Sequence, residues 1–441
     1  MKKYLKKLKK NQLLANSGWI IFKNIVNMLN VFLVTSIVAR VFGPSQFGEF
    51  NYVYSFVILF TALSTLGLDN LAVKTLIQKK EQEKEILFTL FIVRISSGIL
   101  LILISNIIFY FLGDGFSYIN LVAFVFSIML FLKAFEVVEY WLLANWKSKV
   151  STIIRSIITI AFSVCKIIVV LYTESLLYFS LTYLIESFVI GIILMFYYFK
   201  KNNNHKKNFN FNIKFAKYIL KESWPLAISG LAITLYMRID QIMIGILSDS
   251  TELGYYSAAV RIAEMWYFIP LSLVSSYSAI IMKIKDEIDL NAKVQELFNI
   301  VTWIGIIFAI FITITSPILV TILFGSEYDP SASIITISVW AGIFATLGSA
   351  RSIWLVAKGL NKYSLIYTFS GLFVNVILNF LLIPIWGGKG AAFATLIGQF
   401  TSTVIVLGFF KQTRKSTFMI IQSFRIRNLK FMFNKFKNSN Q

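Results

Sequence analysis

The sequence predicts an all-α polytopic membrane protein of twelve transmembrane helices in two six-helix bundles, with both termini cytoplasmic. Three observations carry this expectation. The 441 residues are 57% hydrophobic and only 14% charged, whereas soluble domains carry roughly 25% charged residues. Apolar stretches of about 20 residues, enough to cross a hydrocarbon core of roughly 30 Å, recur between short polar breaks. Lys and Arg gather in alternate breaks, the asymmetry expected of short cytoplasmic loops.

The spans follow in order. Span one (13–38) comes after the basic segment Met1-Lys2-Lys3-Tyr4-Leu5-Lys6-Lys7, which reads as its membrane anchor; the apolar stretch is too long, and the following residues too unlike a cleavage site, for a signal peptide. Span two is 47–70, three is 86–112, four is 117–141, five is 150–172 and six is 176–199. The Asn/Lys-rich stretch 200–212 then separates six from seven (219–247). Spans eight to twelve are 252–280, 298–324, 331–357, 363–385 and 389–410. Pro270 falls inside span eight and predicts a kink there, because proline has no N–H for the helical ladder.

Charge tests the count independently. Of the 42 basic residues, 32 fall in the N-terminal segment, the even-numbered breaks and the C-terminal segment, counting Lys221 at the mouth of span seven. The odd-numbered breaks hold only Arg40 and, at the mouth of span twelve, Lys389, beside Asp114, Glu174, Asp249, Glu327, Asp329 and, at the mouth of span eight, Glu252. A net charge of +21 would suit nucleic acid, but in so apolar a chain it belongs to an anionic membrane surface, and no nucleic-acid partner is expected. The segment 411–441 mixes Phe and Ile with Arg and Lys, which suits either an interfacial helix or a solvated tail. Cys165 and His205 are the single cysteine and histidine, so neither a disulfide, a His/Cys metal site nor histidine catalysis is expected, and no cofactor is implied.

The chain repeats itself weakly. Ser45-Gln46-Phe47-Gly48-Glu49-Phe50 matches Thr251-Glu252-Leu253-Gly254-Tyr255-Tyr256 at a separation of 206, and Trp141-Leu142-Leu143-Ala144 matches Trp354-Leu355-Val356-Ala357 at 213. These map span one onto seven and four onto ten. An offset of six spans preserves orientation, so the halves form parallel repeats about an axis along the membrane normal. The expected lobes are 1–205 and 206–410, followed by the basic segment 411–441.

Charges inside the spans are where function is sought, since each costs about 2.5–3.5 kcal/mol at the bilayer centre. Arg94, Arg155, Arg351 and Lys166 lie within about two turns of a span end, where snorkelling is the simpler reading. Lys133 and Glu136 read as an ion pair joining helices. Lys23, with Asn27 at i+4, Arg238 and Arg261, with Glu264 at i+3, are deeper in spans one, seven and eight. Guanidinium forks and an ammonium suit an anionic group with several oxygens, so Lys23, Asn27, Arg238, Arg261 and Glu264 form the expected substrate group. Asp240 and Asp69 are the weaker candidates for a coupling proton or sodium ion; for Asp69 a helix-end role is the simpler reading.

Val38-Ala39-Arg40-Val41-Phe42-Gly43-Pro44-Ser45-Gln46-Phe47-Gly48-Glu49-Phe50, Leu66-Gly67-Leu68-Asp69, Tyr236-Met237-Arg238-Ile239-Asp240-Gln241 and Gly388-Lys389-Gly390-Ala391-Ala392 resemble signatures of Wzx-type polysaccharide-biosynthesis flippases, which transport O-antigen and capsule repeat units. The resemblance implies the fold of the multidrug/oligosaccharidyl-lipid/polysaccharide exporter superfamily, two six-helix bundles around a central cavity as in MATE transporters. It also implies a polyprenyl-diphosphate oligosaccharide as cargo, moved to the outer leaflet of the bacterial cytoplasmic membrane by alternating access. Membrane lipids, and a polysaccharide polymerase or glycosyltransferase, are the partners it suggests. Three rivals are weighed beside it, of which a lipid II flippase belongs to a related family that typically has fourteen spans, whereas twelve are counted here. A cation-coupled multidrug exporter would prefer an acidic cavity. A membrane polysaccharide polymerase would need a large external loop, and every external break here is under about ten residues.

Overall fold

The computed structural model describes residues 30–112, 117–202 and 210–426, with the backbone of 2–29 as helix. Among the described residues every regular element is helical. The α-helices are α1 (Lys2–Ser64), α2 (Asp69–Gln78), α3 (Glu83–Leu112), α4 (Tyr118–Leu132), α5 (Val137–Ala144), α6 (Ser148–Thr173), α7 (Leu176–Lys201) and α8 (Ile213–Leu247). There follow α9 (Ser250–Glu264), α10 (Phe268–Ile281), α11 (Glu287–Phe324), α12 (Pro330–Ala357), α13 (Lys362–Phe400), α14 (Val406–Phe409) and α15 (Arg414–Ser423). A chain in hydrocarbon must satisfy its backbone polar groups internally, and helices do so within each segment.

Nine helices among the described residues are long and apolar enough to cross a membrane, or ten with the bent pair α9 and α10. Two of the nine, Asn30–Gln78 and Lys362–Phe409, hold 49 and 48 residues, about 70 Å if straight and more than twice the core thickness. Each contains a glycine in the left-handed region, Gly43 (φ 67°) and Gly387 (φ 53°), where only glycine turns without strain. The chain folds back at the second: a methyl on Gly390 would lie 2.4 Å from the Leu382 carbonyl oxygen and one on Gly398 3.0 Å from Asn375 Cβ. Counting each long helix as two crossings accommodates the twelve predicted spans.

Local chemistry sets the ends. Asn212 accepts from the Phe215 N–H at 2.9 Å and caps α8, and Asp286 accepts from Ile288 and Asp289 to cap α11. Gly325 (φ 93°) closes α11 and Pro330 opens α12. Helices α8 and α11 begin six and eleven residues ahead of the predicted spans seven and nine, at Ile213 and Glu287, because the polar cytoplasmic ends continue the helix beyond the apolar stretch. The predicted kink is present: α9 and α10 meet at 46°, and Pro270 is the third residue of α10, so the missing N–H falls just after the break.

The chain divides into two compact units, Ile37–Gly254 and Met1–Ser36 with Tyr255–Gln441. In the first, a buried cluster around Leu68, Leu90, Leu142 and Leu194 ties α2, α3, α5 and α7 together. In the second, α15 buries Met419 and Ile420; its Met419 carbonyl accepts from Gln295 at 2.9 Å and Ser423 meets Thr302 at 2.7 Å. The described part of the C-terminal segment thus packs Met419 and Ile420 inward while Phe418, Ile421 and Ile426 stay exposed, and 427–441 lie outside the described residues.

The repeat has a physical counterpart. Added Cβ atoms would lie 1.7 Å from the Ser250 carbonyl oxygen at Gly48 and 2.0 Å from the Pro44 carbonyl oxygen at Gly254. The two matching motifs thus cross backbone to backbone, each glycine seated against the other's turn.

Candidate functional site

In the first unit α1, α4 and α8 enclose a cavity of 360 Å³ walled by Tyr54, Thr61, Phe126, Met129, Lys133, Glu136 and Thr234 among others. Its charged wall arises from a break in span four. After α4 the chain runs through a 3₁₀ segment, Lys133–Glu136, before α5. With three residues per turn, Lys133 and Glu136 eclipse one another on one side.

Lys133 Nζ donates to Glu136 at 2.9 Å, and Arg155 from α6 reaches the same carboxylate at 3.1 Å and Glu139 at 2.5 Å. Ser151 also donates to Glu139. Arg94 lies close enough to act on Glu136 electrostatically. Its Nη1 donates to the Tyr140 hydroxyl at 3.2 Å, and Tyr140 in turn donates to Asp69 at 2.8 Å. Among the described residues the network thus joins three cations, Lys133, Arg155 and Arg94, to three carboxylates, Glu136, Glu139 and, through Tyr140, Asp69. Lys133, with its side chain 25% exposed, is the cation on the cavity wall.

The peripheral reading of four basic residues is corrected by burial for Lys166, Arg351 and Arg94 and by pairing for Arg155, whose side chain is 27% exposed. Lys166 is paired with Glu186 at 2.6 Å and lies 3.5 Å over the Tyr183 ring. Arg351 is buried, donates to the Ser402 carbonyl at 2.5 Å and covers the Tyr367 ring at 4.6 Å. Arg94 is 2% exposed, and Arg155 spans two carboxylates. None of them snorkels. Sequence distance from a span end misjudged them because the partners lie far away in the chain, as Glu186 does from Lys166. The reading of Lys133 with Glu136 as an ion pair holds, but the pair also faces a cavity.

The remaining candidates are spread out. Arg238 Nη1 donates to Gln241 Oε1 at 3.4 Å, and that oxygen also accepts from the Ser55 hydroxyl. Thr234, one turn before Arg238, lines the cavity. Asp240 is buried in the same unit, and Asp69 is exposed as the first residue of α2. Arg261, half-buried, and Glu264, exposed, belong to the second unit, as does Tyr267 beside Glu264. The side chains of Lys23 and Asn27 lie outside the described residues.

Comparisons with known proteins bear on this arrangement. A model of the family described as polysaccharide biosynthesis protein matches residues 13–282, and the MatE model matches 225–381. The capsular polysaccharide biosynthesis protein CapF of Staphylococcus aureus is 25% identical over 91% of this chain and 100% of its own. The probable flippase AglR of Haloferax volcanii is 27% identical over 39% of this chain and 37% of its own. Among solved structures, the lipid II flippase MurJ in an inward closed conformation superposes with a TM-score of 0.70 at 17% identity, covering 91% of this chain and 90% of that one. An inward-facing MATE family multidrug resistance transporter superposes with a TM-score of 0.65 at 15% identity, covering 89% and 94%.

Proposed function

This chain belongs to the polysaccharide biosynthesis protein family, and from that premise we propose that it flips polyprenyl-diphosphate-linked oligosaccharide repeat units from the cytoplasmic to the outer leaflet of a bacterial cytoplasmic membrane. It is a multi-pass membrane transporter rather than an enzyme. The observation that carries the reading to this cargo is Lys133 on the wall of an intramembrane cavity, its carboxylate partner Glu136 shared with Arg155.

A diphosphate entering the membrane needs a desolvated cation, and an ammonium beside a cavity supplies one as a point charge. Lys133 keeps its place because Glu136 orients it and Arg155 shares that carboxylate, so Glu136 does not fully neutralise it. The polyprenyl chain can remain in the bilayer while the headgroup crosses. Two six-helix lobes, 1–205 and 206–410, would rock about the headgroup. Lys23, Asn27, Arg238, Arg261 and Glu264 are the further residues assigned to it; the place of Thr234 on the cavity wall, one turn from Arg238, favours Arg238 among them. Asp240 and Asp69 are the groups assigned to a coupling proton or sodium ion. A polymerase or glycosyltransferase would supply or consume the cargo. A cation-coupled drug exporter would instead leave a carboxylate uncompensated in the cavity, and both Glu136 and Glu139 are paired here.

Deletion of the gene in its host tests the reading. The lipid-linked oligosaccharide should accumulate on the cytoplasmic leaflet, with little mature polymer outside. Unchanged lipid-linked pools and normal surface polymer would refute it.

A further inference from the structure

A second concavity of 590 Å³ lies in the first unit between α2 and the turn joining α5 to α6, lined by Asp69, Asn70, Val73, Lys74, Ile77, Gln78, Leu143 and Trp146. Of its lining only Asp69 has another assignment, as a coupling group; the rest has no part in the membrane cavity. Asn70, Lys74 and Gln78 stand at i, i+4 and i+8 on α2, all exposed, and so form one polar stripe along the pocket. Asp69 is fixed beside them by the Tyr140 hydroxyl at 2.8 Å. The opposite wall is Trp146, which is 93% exposed.

Trp146 also has φ 59°. That left-handed conformation is natural for Gly or Asn and strained for a bulky side chain, the kind of strain that gathers at ligand sites. Its backbone N–H donates to the Leu143 carbonyl at 3.1 Å, closing the turn that carries the indole at the pocket's edge. An indole this exposed contributes little to the core and leaves its ring face open at the pocket.

We propose that this pocket is a carbohydrate subsite that reads the sugar of the cargo before the headgroup enters the membrane cavity. The chemistry is that of a pyranose. One face of the ring presents C–H groups, which carry partial positive charge and suit the negative face of an indole. Its rim presents hydroxyls, each donor and acceptor at once, and the amides of Asn70 and Gln78 are likewise both. Asp69 adds an acceptor and Lys74 a donor. A site for a phospholipid headgroup would be lined by cations; here one Lys stands among an acid and two amides. The volume lies within the range of about 300–1,000 Å³ typical of small-ligand pockets. Near the membrane an exposed Trp can also be an interfacial anchor, but anchoring alone does not require the polar stripe facing it.

This inference rests on the proposed cargo, so two probes keep the readings apart. Full-length protein in lipid nanodiscs is titrated calorimetrically with the oligosaccharide released by mild acid from the host's own lipid-linked pool, and separately with undecaprenyl diphosphate lacking sugar. Wild type should bind both. Trp146→Ala should bind the oligosaccharide roughly tenfold more weakly, and Trp146→Phe, which keeps a ring, should stay within about threefold of wild type. All three should bind undecaprenyl diphosphate equally. If Trp146→Ala binds the oligosaccharide as wild type does, including when its only defect is a lower amount in the membrane, the subsite is overturned. Wild type binding undecaprenyl diphosphate but no oligosaccharide overturns the subsite alone; binding neither overturns the proposed cargo as well.

Discussion

Lys133→Ala should abolish surface polymer in a deletion strain complemented with the variant, while the protein reaches the membrane in normal amount. A charge-assisted hydrogen bond contributes about 1.5–3 kcal/mol, so affinity for undecaprenyl diphosphate should fall by roughly 10- to 150-fold. The fold should survive because Glu136 keeps Arg155 at 3.1 Å when Lys133 is removed, so no buried carboxylate is left alone. The contrast with Arg155 is informative. Arg155 alone reaches both Glu136 and Glu139, and removing one partner of a buried ion pair commonly costs about 3–5 kcal/mol, so its loss would confuse binding with stability. Lys133 is therefore the residue at which binding can be read cleanly. Unimpaired polymer export by Lys133→Ala would remove it from the headgroup site.

Gly48→Val and Gly254→Val should each prevent stable insertion, judged by the amount of protein in the membrane fraction and its resistance to thermal aggregation in detergent. The atoms in the way are backbone, the carbonyls of Ser250 and Pro44 at 1.7 and 2.0 Å from the added Cβ, so no side chain can rotate aside. Overpacking in a closely packed interior costs about 1–3 kcal/mol when neighbours can shift; here the helices themselves must separate, and the cost should exceed that range. Gly408→Val is the control, since nothing lies within 4 Å of its added Cβ. Normal levels of both variants would mean that the motif crossing is dispensable.

Much of the fold was legible in the sequence. Apolar length and loop charge depend on the solvent, and the bilayer imposes them locally, so the spans and the kink before Pro270 could be read directly. The pairing of Lys133 with Glu136 was legible for the same reason, being a matter of neighbours in the chain. What escaped was everything decided by helices meeting. Whether Lys166 or Arg351 reaches outward or is buried depends on Glu186, Tyr183, Tyr367 and Ser402, and nothing in spacing announces those neighbours. The cavity was missed because its charged wall needs the 3₁₀ segment, which hydropathy does not register. Gly67 (φ 62°) after Leu66 (φ 56°) turns the chain into α2 and places its polar stripe opposite Trp146; the sequence displayed both Gly67 and Trp146 but not that they frame one pocket.

The most direct measurement is transport itself. Purified full-length protein is reconstituted into vesicles whose membrane contains the host's lipid-linked repeat unit, and the fraction accessible to an enzyme that modifies the sugar only from outside is followed with time. Protein-containing vesicles should render nearly the whole pool accessible, whereas protein-free vesicles and those holding Lys133→Ala should stop near the fraction initially outside. A wild-type time course identical to that of protein-free vesicles would contradict the account at its centre.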